Sequence, residues 1–145
     1  LQLARMESMA RSIPLHVSIS ADGALWRYGL SHRNGCDPDQ ADRTDASACV
    51  LVIDDGDGVV HSDGITTDTG DLVLMRFTYE AHPDIDAFVA GGNQQLTFDP
   101  VRGTATPGEI DLASSEGNRL RVRVGLLGKI QICTPDGSMP DYKGC

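Results

Sequence analysis

No apolar run in this 145-residue chain approaches the ~18 residues a helix needs to cross a bilayer. The longest runs, Cys49–Ile53 and Val124–Leu127, are strand-sized. There is no C-x-x-C pair and no histidine near the later cysteines, which argues against structural zinc. A G-x-S-x-G elbow and a phosphate-binding glycine loop are both missing, and His16, His32, His61 and His82 stand in no catalytic spacing. An enzyme is therefore not indicated, and no cofactor is implied. Positive charge is nearly absent between Asp37 and Asp71, where ten aspartates face one arginine, Arg43. That block carries the whole net charge of −9, reads as a solvated loop-rich face, and would repel nucleic-acid phosphates. Asp54–Gly58 also lacks the EF-hand pattern: counted from Asp55, Val59 stands at the fifth position and Thr66 at the twelfth. It is expected to be a plain turn, and His61 with Asp63 completes no transition-metal set.

What is present is an ordinary globular composition, 40 % apolar and 23 % charged, in a length that suits one domain with a real core. Residues 1–13 read as an amphipathic helix. Leu3, Met6, Met9, Ala10 and Ile13 fall on one side, and Arg5, Glu7, Ser8, Arg11 and Ser12 on the other. Pro14 is its expected stop. No capping residue precedes the periodic run, so the helix is expected to be the end of a longer one. Because the stretch is amphipathic rather than uniformly apolar, it is not a signal peptide; any targeting or anchoring segment is expected upstream.

Beyond Pro14 the pattern is strands and turns. Leu15–Ser20 alternates with period two, Asp22-Gly23 is a turn signal, and Leu25–Leu30 returns as a second hairpin arm. Asn34–Ala48 is a polar loop and Val50–Ile53 a buried strand. Leu72–Tyr79 reads as one longer strand, with Val73, Met75, Phe77 and Tyr79 inward; Glu80–Asn93 reads as a loop and Leu96–Phe98 as a short strand. Residues 99–108 turn, Glu109–Ala113 is a strand, and Glu116–Asn118 is a hairpin turn. Arg119–Val124 alternates strictly, with Leu120, Val122 and Val124 inward. Lys129–Cys133 is the last strand. The expected class is α+β, one domain over 1–145, with a helix end packed on antiparallel sheets.

The four cysteines fall in two local pairs, each enclosing a stretch rich in Asp, Gly, Pro or Ser. Of three connectivities, Cys36–Cys49 with Cys133–Cys145 is favoured, which implies an oxidising compartment. Arg119, Arg121 and Arg123 share one side of a strand at intervals of roughly 7 Å. Lys129 and Lys143 lie on the adjoining strand and tail. The row suits three roles: a solvated face that discourages edge pairing, a docking surface for an acidic partner, or a phosphate contact. No aromatic interleaves with it, so base stacking lacks support.

Several stretches are similar to the GspH/FimT family of minor pseudopilins and minor pilins. Leu1–Ser8 resembles the family's "ARSEA" stretch, Leu96–Gly103 its "tF-x-p-x-G" strand and turn, and Gly128–Cys133 its "GRVRIC" strand. Pro135 and Cys145 are similar to minor-pilin tails. The resemblance implies a pilin-like fold and a cleaved leader. It also implies an apolar membrane helix ahead of Leu1 and a periplasmic head that assembles with other minor and major pilins. A type IV minor pilin at or near the filament tip is the preferred expectation, with a type II secretion pseudopilin as the alternative. Some members bind DNA through a "GRxR" stretch; here it reads Gly128-Lys129-Ile130-Gln131, keeping one basic position of two, and because Arg119, Arg121 and Arg123 could compensate, a DNA-binding pilin for DNA uptake stays a second alternative.

Overall fold

The computed structural model describes residues 1–57 and 68–145, with residues 90, 91 and 93 described by backbone alone. His61 and Asp63 lie outside the described residues.

Helix α1 spans Gln2–Arg11 and has no side-chain cap at its start. Its stop comes from Ser12, which takes the left-handed conformation at φ 56°. The Ser12 N–H then donates to Met9 O and the Ile13 N–H to Ser8 O, both at 3.3 Å, a Schellman closure completed before Pro14 is reached. The helix meets the head by the side that holds Leu1 and Ser8, which the wheel reads as the polar one. Ala4 and Ser8 are buried, and Leu1 packs against the core. Leu3, Met6, Met9 and Ile13 are 45, 63, 50 and 39 % exposed, so the apolar stripe points away from the head. Small side chains explain the roll. Ala4 and Ser8 let the helix axis approach the sheet closely, and the Ser8 hydroxyl lies 3.0 Å from Phe98 O and 2.8 Å from Ile13 O.

The main sheet has eight strands. They are β1 (Leu15–Gly23), β2 (Arg27–Ser31), β5 (Arg76–Thr78), β6 (Ile85–Asp99), β7 (Thr104–Ala105), β8 (Gly108–Ser114), β9 (Arg119–Val124) and β10 (Ile130–Cys133). The order is β10-β9-β8-β6-β1-β2-β5, with β7 added to β6, and every pairing is antiparallel. The expected hairpin is present, with Val17 opposite Leu30. Val17, Ile19 and Ala21 on β1 meet Leu96 and Phe98 on β6 in one core under α1. Each large aliphatic buried there contributes about 1.5–3 kcal/mol.

Glu80–Asn93 is not a loop. After a short 3-10 turn at Tyr79–Ala81 the chain enters β6, which runs 15 residues from Ile85 through Gly91-Gly92 to Asp99. The glycines mark a bulge: Ser20 pairs Asn93 and Asp22 pairs Phe88, so residues 89–92 oppose Ala21 alone. Gly92, at φ 78°, takes the turn that a side chain would strain.

Leu72–Tyr79 is not one strand either. β4 (Leu72–Leu74) pairs with β3 (Val50–Val52) in a separate two-stranded sheet, while β5 pairs with β2 in the main one. Met75 is the hand-over: its N–H donates to Cys49 O at 2.8 Å and its carbonyl accepts from Leu30 N–H at 2.9 Å. The expected inward face is partly reversed, with Val73 and Phe77 exposed and Leu72 buried beside Ala48 and Val50. Arg11 ties the small sheet to the helix, with Nη1 donating to Val52 O at 2.6 Å.

Candidate functional site

The strand β9 carries Arg119, Arg121 and Arg123 on the outer side, as its alternation predicts. The partners of Arg121 and Arg123 come from β8, joined to β9 across the turn around Gly117. Asp111 stands directly opposite Arg121, and Glu109 opposite Arg123. Arg121 forks onto Asp111, with Nε to Oδ1 at 2.6 Å and Nη2 to Oδ2 at 2.7 Å. It also reaches Glu109 at 3.3 Å, and Arg123 Nε donates to the same carboxylate at 2.7 Å. Arg119 lies 4.0 Å from Asp136 of the tail. The bidentate hydrogen bond from Arg121 holds the Asp111 carboxyl below its ordinary range, and the same bond raises the Arg121 guanidinium.

The tail is built onto this ladder. Cys133 and Cys145 are joined, as are Cys36 and Cys49, so both favoured pairings are present. Thr134 N–H donates to Lys143 O at 2.9 Å, Cys145 N–H to Thr134 O at 3.1 Å, and Arg119 N–H to the Ser138 hydroxyl at 2.7 Å. Arg123 Nη1 lies 3.4 Å from Cys145 O. The row is thus a cross-strand ion-pair ladder that anchors a cystine loop, and its positive charge is largely matched locally. Lys129 and Lys143 make no ion pair among the described residues. The register sets these partners: Glu109 with Arg123, and Asp111 with Arg121, are placed symmetrically about Glu116.

The first cystine sits on the sheet at Gly29, where a Cβ would overlap Cys49 Sγ. The Ser18 hydroxyl lies 3.6 Å from Cys36 Sγ, so this loop covers the outer side of β1. The acidic block gathers some of its members. Asp54, Asp55 and buried Asp71 form one group of carboxylates, and Asp55, Asp57 and Asp68 a second, each with ligand atoms within 4.8 Å of one another. Asp71 Oδ1 accepts the Asp55 N–H at 2.9 Å.

On the other side of the main sheet an apolar groove of about 590 Å³ begins at Leu1. Ile19, Ile85, Leu112, Leu120 and Val122 line it. Trp26 closes one wall, its Nε1 donating to Ile85 O at 2.7 Å, and stacks with Tyr28 and His82 at 6.3 Å.

A short N-terminal helix laid on a large antiparallel sheet, with its apolar stripe turned outward, is a pilin-like α+β head. The sequence matches the family described as type II transport protein GspH over residues 1–128. The chain belongs to that family, whose members are structural pseudopilins and pilins of type II secretion systems and type IV pili. They are associated with the periplasm and assemble with other subunits of their kind. Comparison with curated proteins and with solved structures gives no match. No helix among the described residues is long and apolar enough to cross a membrane.

Proposed function

We propose that this chain is the periplasmic head of a type IV minor pilin that helps start assembly and stays at or near the filament tip. The outward stripe of α1 carries this reading. Leu3, Met6, Met9 and Ile13 leave 39–63 % of their surface in water, and they suit packing against helices of neighbouring subunits. A membrane-embedded continuation of α1 ahead of Leu1 would hold the subunit in the inner membrane until it is recruited. The cystine-pinned tail favours a pilus, where C-terminal cysteine pairs are the more usual; it would present an exposed recognition loop.

A second reading, minor pseudopilin of a type II secretion system, is favoured by the description of the matched family. DNA uptake is not adopted. Arg119, Arg121 and Arg123 each have a carboxylate within 4.0 Å, so phosphates would compete with existing partners.

The test is co-purification of the full-length protein with other minor pilins, together with pilus counts in a deletion strain. Association and a loss of pili are expected. A normal pilus count with no association refutes the pilus role, and a secretion defect in its place establishes the second reading.

A further inference from the structure

Two turns lie side by side at one end of the main sheet. Residues 100–103 join β6 to β7, and residues 125–129 join β9 to β10. The Ala105 N–H donates to Leu126 O at 2.8 Å. A Cβ built on Gly128 would stand 3.2 Å from Gly103 O and 3.5 Å from Arg5 Nε, so the two turns and the helix side chain converge.

The chemistry of these turns is wrong for water. Val101 is 88 % exposed, Leu126 63 % and Leu127 74 %. Turn positions normally carry Gly, Pro, Asn, Asp or Ser. Each aliphatic tip is followed by a cation, Arg102 in one turn and Lys129 in the other. Neither these two nor Arg5 makes an ion pair among the described residues. The acid nearest in sequence, Asp99, accepts the N–H groups of Val101 and Arg102 at 2.9 and 3.2 Å. In a chain of net charge −9 this corner is locally cationic, while the aspartate block lies between residues 37 and 71.

We propose that this end of the head docks on an anionic lipid bilayer, with Val101, Leu126 and Leu127 entering the headgroup layer. Arg5, Arg102 and Lys129 face the lipid phosphates. Tip-borne aliphatics ringed by cations fit a deformable surface of buried acyl chains and negative headgroups. Nucleic acid would use the cations but leave all three aliphatics in water. The inference stands whichever filament the head serves, because it concerns a surface of the head alone.

The 145-residue protein is sedimented with phosphatidylcholine vesicles, with and without phosphatidylglycerol. Binding to the anionic vesicles alone, weakened by salt, is expected. The charge reversal Arg102→Glu with Lys129→Glu should weaken binding by about thirtyfold or more, as two basic residues near an anionic surface would. The triple variant Val101→Asp, Leu126→Asp, Leu127→Asp should also release the protein, with its circular dichroism unchanged because all three side chains are exposed. Failure to bind anionic vesicles in low salt overturns the proposal, as does unchanged binding by either variant. Tighter binding to duplex DNA than to vesicles, kept by the aspartate variant and lost by the charge reversal, assigns the corner to nucleic acid instead and equally overturns it.

Discussion

Replacing Ser8 by alanine should destabilise the head, whereas replacing Met6 by serine should leave its stability almost unchanged. Ser8 is 1 % exposed, and its hydroxyl serves two carbonyls, Ile13 O at 2.8 Å and Phe98 O at 3.0 Å. The hydroxyl has one hydrogen to share between the part-buried Ile13 O and the buried Phe98 O; alanine removes it, a loss of about 1–3 kcal/mol. Alanine's better helix propensity offsets about half a kcal/mol. The net of about 0.5–2.5 kcal/mol should lower the melting temperature by about 2–9 °C in a domain this size. Met6 is 63 % exposed, so its loss should fall within about 0.5 kcal/mol. Urea denaturation followed by far-ultraviolet circular dichroism separates the two. A helix rolled to bury Leu3, Met6 and Met9 gives the opposite order: a cost of several kcal/mol, about 2–5, for removing a buried methionine, and little for Ser8. That order would refute the observed roll. With the full-length protein, Met6→Ser should instead weaken co-purification with partner subunits, a loss of association without a loss of folding.

Gly29→Ala forces a Cβ onto Cys49 Sγ, so strand or cystine must shift; a loss of about 1–3 kcal/mol is expected in the same denaturation assay. Replacing Cys133 and Cys145 together by serine should cost roughly 3 kcal/mol and expose residues 134–144 to limited proteolysis, while the Cys36–Cys49 bond persists by thiol counting. Burial lowers the pKa of His16, whose Nδ1 lies 2.9 Å from Thr97 Oγ1. The unfolded chain therefore binds the proton more readily, and the stability from neutral His16 is complete above the ordinary value near 6.5 and fades as pH falls toward the lowered one. Urea midpoints measured across that range should fall more steeply with acid for the wild type than for His16→Gln.

Local pattern was informative wherever a strand and its partner are neighbours in the chain. The Leu15–Leu30 hairpin and the alternation of Arg119–Val124 rest on period two and on turn chemistry, both properties of contiguous residues. The two cystines follow the same rule, since each closes a short polar loop that burial cannot order. The ladder was half legible: the arginines were evident, but their carboxylates required the register of a second strand. β6 was missed because glycines and a proline suggested a loop; a bulge accommodates Gly91-Gly92 and pairing continues on both sides of it.

Sequence alone determined that the chain begins with an amphipathic helix, continues in short antiparallel strands, and closes two cystine loops. Tertiary structure alone decided which side of that helix meets the head, where Met75 passes the chain from one sheet to the other, and which acids answer the arginines. The physical reason is that periodicity states which side chains share a face. What covers that face is decided by close approach, and here the small Ala4 and Ser8 win the sheet, leaving the larger apolar side chains outside.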